Sequence, residues 1–128
     1  MNHLIDTHTL LWYLDADKKL SENALNTIED PNNRIFISQA TLIEMAIKVN
    51  LGKLKLPCDW DELFFQFNKI GWAILPFRNV DFARLSTLPI HHGDPFDRLM
   101  VCQCINQKLD IISKDPIFEK HKIKRIWN

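Results

Sequence analysis

Five short β-forming runs are separated by stretches of helical period, and that alternation leaves this chain very few architectures. HLI (3–5) leads directly into THTLLWYLDAD, where Leu10, Leu11 and Leu14 recur at helical spacing. Ser21 caps a second helix, SENALNTIED, which Pro31, Asn32 and Asn33 end. RIFIS (34–38) is the next strand, and 39–50 repeats apolar residues at helical period up to the stop at Gly52. LGKLKLP is an extended connector, after which Asp59 caps a helix running through DELFFQFNKI to Gly71. WAILP is a third strand, and a short helix starts at Asn79 or Asp81. A longer helix then begins at Pro95, with Asp94 as N-cap and Pro95 at the first helical position. DIISKD is a strand, PIFEKH a single helical turn, and KRIW the last strand. Strands alternating with helices argue for a parallel sheet covered on both faces, here a three-layer α/β sandwich of about five strands.

At 128 residues the chain suits one domain, 1–128, with one core. Sixteen basic and sixteen acidic residues cancel, so no global field announces a nucleic-acid partner, although a local basic patch remains open. The N-terminal segment has no cationic start and meets His, Asp and Thr within its apolar run, so it reads as neither signal peptide nor membrane span. Three cysteines, Cys58, Cys102 and Cys104, are an odd number, which suits reduced packing thiols and a cytoplasmic protein.

Against this ordinary background four acids stand out: Asp6 closing HLID, Glu44 inside TLIEMAI, Asp97 inside DPFDRLM, and Asp115 closing DIISKD. Carboxylates beside apolar runs are costly to desolvate, and a divalent cation is the simplest partner for several at once. In open parallel sheets ligands bind beyond the carboxyl ends of the strands, at a topological switch point. Asp6 and Asp115 both fall at such ends. Asp97 shares a helix face with Met100, Val101 and Cys104, so its carboxylate is expected to point inward.

The strings LIDTHTLLW, ISQATLIEMAIKVNLGKL, HHGDPFDRLMVCQC and IISKDPIF, in this order and spacing across nearly the whole chain, resemble the PIN-domain family, in particular the toxin ribonucleases of VapBC type. The resemblance implies a PIN-like fold, metal-dependent RNA cleavage, dimerisation, and control by an antitoxin protein. It matches Asp6 to the family's first acid, Glu44 to the second, Asp97 to the third and Asp115 to the fourth. All four are therefore candidate catalytic and metal-binding residues. Asp6 and Asp97 are the expected direct ligands, with Asp115 closing the site or binding through water, and Glu44 ligating or orienting the attacking water.

Hard Mg²⁺ or Mn²⁺ suits such an oxygen donor set, keeps several waters, and needs only one or two carboxylates plus substrate phosphate. One or two ions fit four acids; a pair would lie about 3.5–4 Å apart. Thr7, Ser38 and Ser113, each near a strand end, are candidates to hydrogen-bond the carboxylates. Asp94 is a lesser ligand candidate, since Asp before Pro is what a helix cap looks like. Arg98, Lys114, Lys122, Lys124 and Arg125 are candidates for contacting RNA phosphates, against the plainer reading of a solvated charged face. His8, His91 and His92 are expected to be structural or solvated rather than catalytic. LFFQF (63–67) carries more apolar surface than one buried helix face needs, which points to an interface.

Two other functions compete. A PIN-like scaffold that binds RNA or protein without cutting it has no need for four intact acids. A receiver-type signalling domain needs an adjacent acid pair after its first strand and an acid ending a middle strand; LIDTH has one acid, and RIFIS and WAILP have none.

Overall fold

The computed structural model describes residues 1–128. Its elements are β1 (Asn2–Ile5), α1 (Thr7–Leu14), α2 (Glu22–Glu29), β2 (Arg34–Ser38), α3 (Gln39–Asn50), α4 (Trp60–Lys69), β3 (Ala73–Leu75), α5 (Asn79–Leu85), α6 (Pro95–Gln107), β4 (Asp110–Ile112), a 3-10 helix (Pro116–His121) and β5 (Arg125–Ile126). The strands form one sheet in the order β3-β2-β1-β4-β5, and every neighbouring pair is parallel. The expected three-layer arrangement is therefore present.

Alternation along the central strand builds two cores. Leu4 pairs in register with Ile111, and both face a cluster that includes Met100, Val101 and Cys104 of α6. Ile5, beside Ile37 and Ile112, faces the opposite side and packs with Leu10, Met45, Leu63 and Phe67 from α1, α3 and α4. Period-2 side-chain direction makes one strand serve both layers. The short strands are apolar and rich in Ile because both faces are covered.

Local chemistry starts nearly every helix. Asp6, Ser21 and Asp59 accept from the backbone N–H of Thr9, Ala24 and Glu62 at 2.9, 3.1 and 2.8 Å. Several expectations need adjustment. PIFEKH is a six-residue 3-10 helix rather than a single turn, whereas WAILP, DIISKD and KRIW are strands only over Ala73–Leu75, Asp110–Ile112 and Arg125–Ile126, so Asp115 lies past the end of β4 rather than at it. Pro116 sets the start of the former, since it supplies a helical φ without needing to donate.

α6 is buried on several sides at once: Met100, Val101, Cys102, Gln103 and Cys104 are consecutive and all inaccessible. Cys102 and Cys104 are free and buried, and burial raises both thiol pKa values, which fits packing rather than reactivity. Gln103 is the polar member of this run. It accepts from the Ser38 hydroxyl and donates to the carbonyls of Leu75 and Pro76 at 3.1 and 3.4 Å, tying α6 to the ends of β2 and β3. No helix is long and apolar enough to cross a membrane.

Because Gln103 satisfies buried groups on three partners, replacing it leaves them unpaired at a cost of about 1–3 kcal/mol. Gln103→Leu is expected to lower the urea midpoint accordingly without changing the slope of the transition. An unchanged midpoint contradicts this role.

Candidate metal centre

β1 sits where the chain order reverses: it runs outward through β2 to β3, then returns to place β4 on the other flank of β1. The crevice beyond the carboxyl ends of β1 and β4 is thus the switch point, and Asp6 is the first residue past β1. Its side chain is almost wholly buried. One carboxylate oxygen accepts from Thr9 N–H at 2.9 Å, so Asp6 caps α1; the other accepts from the Ser113 hydroxyl, just past β4. Burial pushes the Asp6 pKa above its ordinary value, and the bonds from Ser113 and Thr9 pull in the opposite direction.

Ser113 is the expected hydrogen-bonding partner that the fold does bring to an acid. Its hydroxyl also accepts from the backbone N–H of Asp115 at 3.0 Å, which links Asp6 to the segment carrying Asp115. Thr7 and Ser38 do not reach a carboxylate. Thr7 Oγ1 lies 3.0 Å from Thr41 Oγ1, in the α1–α3 contact, and Ser38 caps α3 through Ala40 N–H at 3.0 Å while donating to Gln103. Each hydroxyl already has a nearer buried partner.

Asp97, in the first turn of α6, is the electrostatic focus. Its pKa is pushed up to about 7, first by burial and then by the negative charge of Asp94, Asp6, Glu44 and Asp115, in that order. All the acids singled out in the sequence thus bear on one carboxyl group. Glu44, on α3, is mostly buried, and its carboxylate meets Lys48 Nζ at 3.1 Å, one turn along the same helix. Asp94 and Asp115 are exposed, and each caps a helix. Asp94 accepts from Phe96 and Asp97 N–H at 2.9 and 3.3 Å, and Asp115 accepts from Ile117 N–H at 3.0 Å. The capping reading of Asp94 therefore holds, and the same role extends to Asp115.

No three His, Cys, Asp or Glu side chains close into a ready coordination cage. The donor set is instead open, all oxygen and net negative, and Asp6 and Asp97 are the members whose pKa burial raises. Those features fit a hard divalent ion that takes one or two carboxylates and completes its shell with water and phosphate. Asp6 and Asp97 are the residues that would hold it, with Glu44 nearby.

His92 was not expected here. Its Nε2 lies 3.8 Å from Asp97 Oδ2, and neither ring nitrogen has a hydrogen-bond partner. Its position in HHGDPFD, five residues before Asp97, was the available signal. Lys48 was also missed, although its i+4 spacing from Glu44 was readable.

Two of the expected RNA-contact residues also make hydrogen bonds within the chain. Arg98 Nη1 donates to the carbonyls of Pro89 and His92 at 3.4 and 3.3 Å, pinning the loop before α6. Arg125 bonds Glu119 at 2.9 Å and the carbonyls of Ser113 and Lys114 at 3.1 and 3.2 Å. Lys124 precedes β5 and acts on His3 of β1, at the amino end of the sheet and away from the acids. Lys114 and Lys122 are exposed, the former 6.0 Å from the ring of Trp12.

A family model described as PIN domain matches residues 3–124. The chain belongs to the PIN-domain family. A comparison with curated proteins gives no match. Among solved structures, this PIN domain is similar to VapBC2 from Rickettsia felis bound to a promoter DNA fragment, with a TM-score of 0.73, 16% identity and full coverage of both chains. It is also similar to FitAcB from Neisseria gonorrhoeae (TM-score 0.67, 13% identity, 98% of this chain and 96% of that one). DNA-bound VapBC from Salmonella typhimurium gives a TM-score of 0.65 at 17% identity over the same shares. At such identities the likeness is one of fold.

The raised Asp97 pKa has a stability consequence. Without metal, the folded state binds more protons than the unfolded chain between the ordinary value of 3.8 and about 7. The stabilising effect of protonated Asp97 is full below that window and is lost as pH rises through it. In chelator, Asp97→Asn should therefore gain in melting temperature over wild type as pH increases from about 5 to about 8. A pH-independent difference contradicts the assignment.

Proposed function

We propose that this PIN domain, as a single unit over 1–128, is a metal-dependent endoribonuclease that hydrolyses RNA phosphodiester bonds with Mg²⁺ or Mn²⁺. We place it as the toxin of a VapBC-type toxin–antitoxin pair acting in the cytoplasm. The observation that carries this reading is the convergence of Asp6 and Asp97 at the switch point, with Glu44, Asp94 and Asp115 adding negative charge around them. A non-cutting binder gains nothing from burying one carboxylate and crowding another.

A bound divalent ion supplies Lewis-acid activation of water and offsets charge on the phosphoryl oxygens and the leaving group. The chain's own residues prepare that chemistry. Asp6 and Asp97 would hold the ion, and Ser113 fixes the Asp6 rotamer through its hydroxyl. Glu44, its charge partly balanced by Lys48, would orient the attacking water. Asp115 and Asp94 shape the rim while capping their helices.

The structural neighbours support the partner assignment: several are VapBC complexes, and another is described as a toxin–antitoxin complex from Klebsiella pneumoniae. Exposed Phe64 and Phe65 on α4, with Ile43 and Ile47 on α3, provide apolar surface for an antitoxin or a second copy in a homodimer.

The test is incubation of the purified protein with defined RNAs, with Mg²⁺ or Mn²⁺ and with EDTA. Cleavage should depend on metal and fall by at least about a hundredfold in Asp6→Asn and Asp97→Asn, each with a native melting profile. Ser113→Ala should retain measurable cleavage, reduced roughly 10–100-fold. Tight RNA binding with no cleavage under any condition favours the scaffold reading instead.

A further inference from the structure

A second concentration of charge, of opposite sign, lies between α5, α6 and the 3-10 helix. Arg84, His91, Lys120, His121 and Lys122 converge on a cavity of about 210 Å³ that Leu88 and Ile105 also line. No carboxylate lines it, and none of its three cations forms an ion pair. In a chain of zero net charge, five cationic or protonatable side chains around one small hollow are a local exception.

Arg84 is held in place. Its Nε donates to Asn106 Oδ1 at 2.6 Å, and Asn106 Nδ2 donates in turn to the fully buried Asp81 at 2.8 Å. That chain anchors the guanidinium to α6 and leaves its Nη donors for another acceptor. The His91 and His121 rings meet edge to face at 4.7 Å, and His121 Nε2 is buried without a partner. Burial, and then the positive charge of His91, His92 and Arg98, hold the His121 pKa below its ordinary value. Three unpaired cations and no lining carboxylate make the field around the hollow positive.

We propose that this cavity is a phosphate-binding pocket, in which Arg84, Lys120, Lys122 and the two histidine rings hold one phosphate group of a nucleic-acid strand. A rigid fork combined with ammonium groups is the donor set that phosphate oxygens recruit. The volume is below the roughly 300–1,000 Å³ of pockets that enclose a whole organic ligand, which suits a single small anion rather than a base or an acidic peptide. The pocket also shares a wall with the metal centre: His91 lines it, and the next residue, His92, faces Asp97 at 3.8 Å. A strand engaged at the acids thus passes a second anchor. That the phosphate belongs to a nucleic acid rests on the nuclease reading; that a phosphate binds does not.

The experiment is two-dimensional NMR of the intact protein in EDTA, so that binding is read without cleavage. Ligands are inorganic phosphate, a 5′-phosphorylated trinucleotide of RNA and the same trinucleotide with a 5′-hydroxyl. Saturable shifts at Leu88, Ile105, His91 and His121 are expected, with affinity reduced about tenfold in Lys120→Gln and in Arg84→Gln. Lys120→Gln carries the test if Arg84→Gln unfolds, since Lys120 is exposed and unpaired. Preference for the 5′-phosphorylated strand assigns a terminal phosphate, and equal binding of both strands assigns a backbone diester. Response to inorganic phosphate alone keeps the pocket and overturns its nucleic-acid source. Shifts scattered over surface lysines, shifts unchanged in both variants, or a stronger response to a triglutamate peptide overturn the pocket. Loss of RNA cleavage with these shifts intact would count against the nuclease reading and leave the pocket standing.

Discussion

Burying the Asp6 carboxylate at the end of the central strand costs free energy that two hydrogen bonds return only in part, and the surrounding structure is arranged about that cost. The bond from Thr9 N–H uses the carboxylate to start α1 immediately after β1, so the strand-to-helix turn and the buried charge are one feature. The Ser113 hydroxyl closes the other side and ties β1 to the end of β4, across 107 positions of sequence. With Asp97 held at the first turn of α6, the crevice gathers negative charge that the protein alone does not neutralise. A cation there relieves desolvation of Asp6 and repulsion at Asp97 together, which makes these two the best ligand candidates.

α6 is the second element on which this arrangement depends. Its N-terminus carries Asp94 and Asp97 at the crevice, and its middle is buried among sheet and helices. Gln103 sets its depth by binding the ends of β2 and β3, so displacement of α6 would move Asp97 relative to Asp6. From its C-terminal turn, Asn106 reaches Asp81 and Arg84 of α5, extending the same helix to the cationic hollow. One helix thus positions an acidic site near its start and a basic one beside its end, with His91 and His92 as the wall between them.

Helix starts and strand identities were legible in the sequence because their causes are local. Ser21, Asp59 and Asp94 cap helices with their own side chains, and apolar period separates strand from helix within a few residues. The four strings that resemble PIN domains likewise pointed to the right family, which the match over 3–124 shows. Thr7, Ser38, Arg98 and Arg125 were less legible. Each has the right chemistry for a site, but their partners, Thr41, Gln103, two loop carbonyls and Glu119, are set by the way elements pack.

The sequence by itself determined the order of strands and helices, that Asp6 closes the first strand, and that a parallel sheet covered on both faces would bring the acids to one side. Capping, periodicity and strand alternation act over a few residues, so they survive reading in one dimension. Only the tertiary structure decided that β4 returns beside β1, that Ser113 rather than Thr7 or Ser38 supports Asp6, and that His92 faces Asp97 while His91 opens onto a basic hollow. Those outcomes depend on which buried polar group finds its nearest partner once the layers close, a competition among groups tens of residues apart that no local pattern encodes.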